Sequence, residues 1–431
     1  MLFKQTERKR FVVLGLDGLP YSLALKWAAK LPNLSRIAMK CSPIKAELPE
    51  LSPVNWTSFF TAQKPEKHGL YGFTSIDPQR YTLSINNFEQ VLCPTIFDTL
   101  GAKGLVSKVI NLPNTYPAKP LRGMLISGFV ADTLEQAVQP PFLLGPLRDA
   151  GYQLEADTSR GIMDPEYLFD QVSRTLDCRL KALELLWNDL AWDLFTIVFT
   201  ETDRLFHFFY PAFENENHPL YTKATEFMRK WDRAIGIVLD KFEALPGEKK
   251  LISFADHGFA ALETEVDLNT FLVQNGYLEY THPAKDQWDS TIISPASKAF
   301  ALDPGRIYIH TSDFARGQVD HAQADKIATE ISAKLMQLEF NGQQVMQQVL
   351  TKREAYGDSP TGNPPDLICT ARPGFDLKAK FDRDEIFGFH GRTGTHTVKD
   401  AFFYSSDGQQ IESIHQTGQI ILDWFDINLP D

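Results

Sequence analysis

The side chains best able to do chemistry in this sequence are acidic and imidazole groups at recurring kinds of place. Asp203 and His207 stand at positions i and i+4. On a helical turn such positions share a face, so both could reach one metal ion. The plainer alternative is an Asp near a helix start and a His set among Phe206, Phe208, Phe209 and Tyr210. Asp256-His257-Gly258 follows an apolar run, and a turn at Gly258 would bring both side chains to one centre; it is also a common turn sequence. Asp17-Gly18 ends another apolar run, where the pair turns well with or without a ligand. Gly391-Arg-Thr-Gly-Thr-His396 supplies a late histidine, and His390 competes with it. Ser52 precedes Pro53, an N-cap and N1 pair that would open a helix. A hydroxyl there lies in the positive potential of the helix N-terminus, and a neighbouring metal would lower its pKa to give a nucleophile at neutral pH. Thr57, the rival hydroxyl, falls inside that helix. Three carboxylates, three histidines and one hydroxyl are about what two tetrahedral sites with nitrogen and oxygen ligands need.

These residues need elements to place them. The run 11–16 reads as a buried parallel strand, as do 194–200 and 250–255. Further strands are expected at 106–111, 124–127 and 306–310, and from 365 to 369. Helices are expected over 21–40, interrupted at Pro32, and over 52–62, 165–190, 221–244 and 322–338. The stretch 388–397 reads as a glycine-rich loop, followed by a strand or two. Alternating strands and helices predict an α/β fold, with a mainly parallel central sheet covered by helices on both faces. In such sheets ligands bind beyond the carboxyl ends of the strands, where Asp17, Asp203 and Asp256-His257 all fall. The texture changes after Gly258. The expected organisation is a core of 1–258 with 365–431 and an inserted cap over 259–364.

Composition narrows the class. The 431 residues carry a net charge of −12. That argues against non-specific binding to nucleic acid or anionic membrane. It leaves anionic substrates open, because metal ions can reverse the field of a site. Cys41, Cys93, Cys178 and Cys369 are scattered and form no C-x-x-C pair, which suits reduced thiols in the cytoplasm. No run is long enough for a transmembrane span.

Local sequence adds a resemblance. Val12-Val-Leu-Gly-Leu-Asp-Gly18, Ser52-Pro-Val-Asn-Trp-Thr-Ser-Phe59, Thr61 with Pro65 and His68-Gly69, Thr202-Asp203 with His207, Phe254-Ala-Asp-His-Gly258 and Gly394-Thr-His396 resemble the alkaline phosphatase superfamily. Gly305-Arg-Ile-Tyr-Ile309 and Pro365-Asp-Leu367 look like further elements of it. The nearest branch is the type I phosphodiesterase/nucleotide pyrophosphatase-like one, with its predicted phosphohydrolase or phosphomutase group. The resemblance implies a hydrolase of small phosphate esters, a phosphodiesterase or phosphatase. It implies one metal held by Asp203, His207 and His396 and a second held by Asp17, Asp256 and His257. Ser52 would stand beside both as a metal ligand and as the nucleophile, and pass through a phosphoseryl intermediate. Zinc is the usual metal there, with manganese or iron as alternatives. Relatives often use Thr where Ser52 stands, carry Gly where Ala62 stands, and in nucleotide pyrophosphatases have an Asn where Phe73 stands. Asn55, Arg204 and Arg392 are the candidates for contacts to substrate oxygens. His68 is expected to shape its turn.

Three rivals remain. A sulfatase needs Pro and Arg at places that Ser52-Pro53-Val54-Asn55-Trp56 does not fill. A phosphomutase of the same superfamily would carry a Gly-Asn-Ser…Gly-His pattern that is absent here. A non-catalytic module stapled by metals would have lost the nucleophile or a ligand, and none is lost.

Overall fold

A computed structural model describes residues 8–429. Its main sheet has eight strands in the spatial order Ser42–Ile44, Ala401–Ser405, Lys249–Phe254, Arg10–Leu16, Leu194–Phe199, Ser107–Leu112, Gly123–Ser127 and Val138–Gln139. The run from Lys249–Phe254 to Gly123–Ser127 is parallel throughout. Antiparallel strands finish both edges. The α/β, mainly parallel expectation therefore holds. Every residue of Arg10–Leu16 and of Leu194–Phe199 is buried, the pattern of strands covered on both faces. Arg10–Leu16 lies between the other two ligand-bearing strands, with Leu16 opposite Phe199 and Gly15 opposite Phe254. Three separate sequence signals thus end side by side at the carboxyl ends of central strands.

Helices fill both faces. The first helical stretch is broken at Pro32, as expected, into Tyr21–Ala28 and Pro32–Ala38. Helix Ser52–Thr61 is buried along its whole length, as a helix set inside a core must be. Gly15 admits it: a Cβ there would meet the Trp56 ring at 2.6 Å. The long amphipathic helices Pro165–Trp187 and Tyr221–Glu243 lie near the expected bounds.

A second core surrounds a four-stranded antiparallel sheet, ordered Ala299–Leu302, Arg306–Ile309, Leu367–Ala371 and Met346–Thr351. Helices Leu268–Gln274 and His321–Leu335 pack on it. This core draws also on Ile76 and Tyr81 and on Phe375, Leu377 and Phe381, so side chains from outside 259–364 share it.

Two expectations need correction. The stretch 388–397 is not only loop: Gly394–Thr397 is a strand paired antiparallel with Gly258–Ala261, His396 opposite Phe259. Its glycines mark close approach rather than looseness. A Cβ on Gly394 would meet the Phe206 carbonyl at 2.3 Å, and one on Gly258 would meet Thr397 Oγ1 at 2.4 Å. The chain also closes with a helix, His415–Trp424, besides strand Ala401–Ser405.

Candidate active site

Each site residue owes its place to the end of an element. Asp17 follows strand Arg10–Leu16, and Gly18 behind it holds φ +68, where a side chain would be strained. Asp203 and His207 lie one turn apart in helix Glu201–Glu214. Asp256 and His257 occupy the bend between strands Lys249–Phe254 and Gly258–Ala261. His396 is on the strand paired to the latter.

The structure brings these residues into two trios. Asp203, His207 and His396 form one, and Asp17, Asp256 and His257 the other. In the first, Asp203 Oδ1 is 3.4 Å from His207 Nε2 and 3.3 Å from His396 Nε2, and the two imidazole nitrogens are 3.1 Å apart. A tetrahedron with ligands about 2.0–2.1 Å from its centre has edges of roughly 3.3 Å, so this triangle suits one ion of zinc size. In the second, His257 Nε2 is 3.2 Å from Asp256 Oδ2 and 3.9 Å from Asp17 Oδ1. His257 also lies 3.9 Å from Asp203 Oδ1 and stacks on His396 at 3.6 Å between ring centroids, joining the trios.

The hydrogen bonds show how the carboxylates are used. Asp17 Oδ2 accepts from Trp56 Nε1 at 2.9 Å, Asp256 Oδ1 from the Gly18 amide at 3.1 Å, and Asp203 Oδ2 from Arg204 Nη1 at 3.1 Å. The other oxygen of each, Asp17 Oδ1, Asp256 Oδ2 and Asp203 Oδ1, is buried with no hydrogen-bond partner. Buried unsatisfied carboxylate oxygens are destabilising unless something charged meets them. These three are the oxygens turned to the histidine nitrogens. The donor set therefore fits a pair of divalent cations. His257 Nδ1 faces the Gly258 carbonyl at 3.1 Å and His396 Nδ1 faces the Glu50 carbonyl at 2.8 Å. Donation to those carbonyls leaves each Nε2 lone pair free for the centre.

Electrostatics give the same account. Burial, with Asp256 and Asp203 close by, holds Asp17 well above the ordinary carboxylate range. Burial and then Asp203 push Asp256 up to about 7. Burial opposes charge on Asp203 as well, but the donors around it, the Arg204 guanidinium among them, outweigh it and hold that group low. Burial keeps His207 and His257 neutral, reinforced by Arg392 and His396 respectively. Without a cation the three carboxylates cannot all ionise comfortably.

Ser52 is not the N-cap of its helix. Leu51 holds the extended cap conformation, and Ser52 and Pro53 are the first helical residues. The serine hydroxyl consequently makes no capping bond, and Oγ lies 3.3 Å from His257 Nε2. Thr57 turns away, donating to the Pro53 carbonyl and accepting from Asn114. His68 is wholly buried between Ser58 Oγ and the Leu70 amide, apart from the trios.

A cleft of about 390 Å³ opens over the first trio, lined by His207 and His396. Arg204 and Arg392 line it, with Arg392 Nη1 3.4 Å from His207 Nδ1. Asn55 does not reach it. Its amide is spent on the 47–51 backbone, accepting from the Glu47 amide at 2.7 Å and donating to the Leu51 carbonyl at 3.1 Å. His390 lines the cleft from an exposed position and joins neither trio. Phe73 and Phe129 meet edge to face on one wall. Glu50, Trp288, Lys380 and Arg383 face the cleft too, and Trp56 orients Asp17. Glu50, Trp288, Lys380 and Arg383 lie in no motif, and Trp56 lies in one that gave no hint of its bond to Asp17; only the folded contacts give these five a role.

The comparisons agree with the geometry. A solved phosphonoacetate hydrolase from Sinorhizobium meliloti 1021, in complex with phosphonoformate, superposes with a TM-score of 0.63 at 17% identity, covering 97% of this chain and 96% of that one. The alkaline phosphatase PafA gives 0.64 at 13% identity, covering 99% and 97%. Murine ectonucleotide pyrophosphatase/phosphodiesterase 5 gives 0.57 at 12% identity, covering 98% and 96%. At such identities these likenesses establish a shared alkaline phosphatase-like fold. Curated protein sequences give no significant match. Among the described residues no helix is long and apolar enough to cross a membrane. The profile of type I phosphodiesterase/nucleotide pyrophosphatase matches residues 11–393, and the chain belongs to that family of phosphoric ester hydrolases.

Proposed function

We propose that this protein is a two-metal phosphoric ester hydrolase, a phosphodiesterase or phosphatase, with Ser52 as nucleophile. The observation that carries the proposal is the set of three buried, unpartnered carboxylate oxygens facing neutral imidazoles beside the Ser52 hydroxyl. Asp203, His207 and His396 hold one divalent ion and Asp17, Asp256 and His257 the other, zinc before manganese or iron. Ions bound there would supply positive charge beside the nucleophile and the departing oxygen.

The chain's own residues do the rest. Ser52 Oγ gives its proton to solvent in the cleft and attacks phosphorus in line. The P–O bond to the leaving group breaks, its oxygen takes up a proton from solvent to depart as the alcohol, and a phosphoseryl group is left on the nucleophile helix. Water then cleaves the Oγ–P bond, releasing the phosphoryl product and restoring the serine. Arg204 and Arg392 hold the phosphoryl oxygens, Arg392 from the 388–397 stretch and Arg204 from the Asp203 helix. The segment 259–364 acts as a cap over the cleft and sets which small phosphate ester fits. The cytoplasm is the proposed location, supported by four free, scattered cysteines.

Ser52→Ala tests the reading. It is expected to lower hydrolysis of p-nitrophenyl phosphate and bis(p-nitrophenyl) phosphate by at least about a thousandfold, with two metals per chain retained. Activity equal to wild type would remove Ser52 from the role.

A further inference from the structure

Behind the first trio lies a run of charged groups that the reaction above does not use. Arg179, on helix Pro165–Trp187, is completely buried. Its guanidinium donates to the carbonyls of Gln153 and Leu154 and lies 3.7 Å from Glu201, the first residue of the helix that carries Asp203, Arg204 and His207. The loop that Arg179 grips presents Glu155, whose Oε2 accepts from Arg204 Nε at 3.2 Å. Arg204 Nη1 donates to Asp203 Oδ2 at 3.1 Å, and the Phe129 ring lies 4.3 Å from the guanidinium carbon. The guanidinium is thus held at two of its three nitrogens by two carboxylates and across one face by an aromatic ring. Its Nη2 has no hydrogen-bond partner among the described residues, and the side chain lines the cleft beside His207.

An arginine held this way is pre-oriented. A planar donor set recognises an anionic oxygen well only when its plane is set beforehand. Asp203 alone cannot set it, since one contact leaves the group free to swing. We infer that Glu155 is a positioning residue, anchored through Arg179, that aims the free Nη2 of Arg204 at a phosphoryl oxygen of the substrate. The inference rests on the hydrolase reading for the identity of the anion, but the arrangement can be probed without turnover. Glu155 Oε1 is buried and unpartnered as well, so this carboxylate is committed to Arg204 and is not a solvated surface acid.

The experiment is a double-mutant cycle on metal-loaded protein, read by calorimetric binding of inorganic phosphate and by kcat/KM for p-nitrophenyl phosphate. Glu155→Gln and Arg204→Ala are each expected to weaken phosphate binding roughly tenfold, the scale of one charge-assisted hydrogen bond. In the double variant Glu155→Gln is expected to add nothing, because its effect passes through Arg204. Phosphate affinity unchanged in Glu155→Gln, or additive losses in the double variant, would overturn the assignment. If Glu155→Gln does not fold, Arg204→Lys replaces it: an ammonium cannot span both carboxylates and still present a free donor to the cleft, so the same tenfold loss is expected, and wild-type affinity would count against the idea. A wild type that binds phosphate with this coupling yet hydrolyses no ester would fail the hydrolase reading and support the positioning role.

Discussion

At the scale of single residues, the site is a set of half-used carboxylates. Each Asp gives one oxygen to the protein and keeps one for the centre. The protein-facing bond sets the aim of the other oxygen, so the partner matters nearly as much as the ligand. Trp56→Phe, which removes only the indole N–H that holds Asp17, is expected to weaken binding at the second trio by about tenfold. A titration with competing chelator reads this, and an unchanged affinity would show that Asp17 needs no such hold. His396→Ala is expected to leave one ion per chain and His390→Ala to leave two, checked by elemental analysis of the purified variants. The acidic and histidine residues were legible beforehand because type and spacing mark them. Trp56 and Glu155 were not, since a tryptophan inside an apolar helix and a glutamate in a loop look the same whether or not they touch a ligand.

At the scale of elements, the nucleophile depends on what lies behind its helix. Helix His415–Trp424 packs on Ser52–Thr61 through Gly418, where a Cβ would meet the Phe59 carbonyl at 2.2 Å. Gly418→Ala is therefore expected to destabilise the fold by about 1–3 kcal/mol and to depress turnover with it. A melting curve and an ester assay on one preparation check this; an unshifted melt would mean that the helices can part freely. The short helix Pro65–His68 carries a second device. Burial lowers His68 to about 3, whereas an unfolded chain titrates near 6.5. The unfolded chain thus takes up a proton that the folded one refuses. Stability is full above about pH 6.5 and declines as pH falls toward about 3. His68→Gln should flatten that decline in denaturant titrations across this window, and an equally steep decline would place the acid sensitivity elsewhere. Helices and parallel strands were readable because apolar periodicity and Pro32 are local signals. The 394–397 strand was not, because its glycines serve a fit against distant backbone, and glycine in sequence looks like slack.

At the scale of the whole molecule, the cleft lies where the two cores meet. Its floor, His207 and His396, belongs with the main sheet, and its far wall, with Phe375 and Leu377, belongs with the second. The α/β class was legible from the alternation of elements. The full membership of the second core was not, since Ile76 and Tyr81 join it from far upstream. Binding that is confined to the folded state adds stability, and here it would also quiet the repulsion among Asp17, Asp203 and Asp256. Chelation is therefore expected to lower the melting temperature by several degrees, with recovery on adding zinc back. Calorimetry with and without chelator measures it, and coincident melts would contradict a bound metal pair.

Chain order gives the sheet a schedule. Strand Ala401–Ser405 takes its place between Ser42–Ile44 and Lys249–Phe254, just after His396. During synthesis Asp17, Ser52 and Asp203 leave the ribosome long before the segment that completes their site. Until that segment arrives, one edge of the parallel sheet stays open and the first trio lacks its third member. A chain made without that segment is thus expected to be inert, its proposed site waiting on a strand that follows the cap in the sequence.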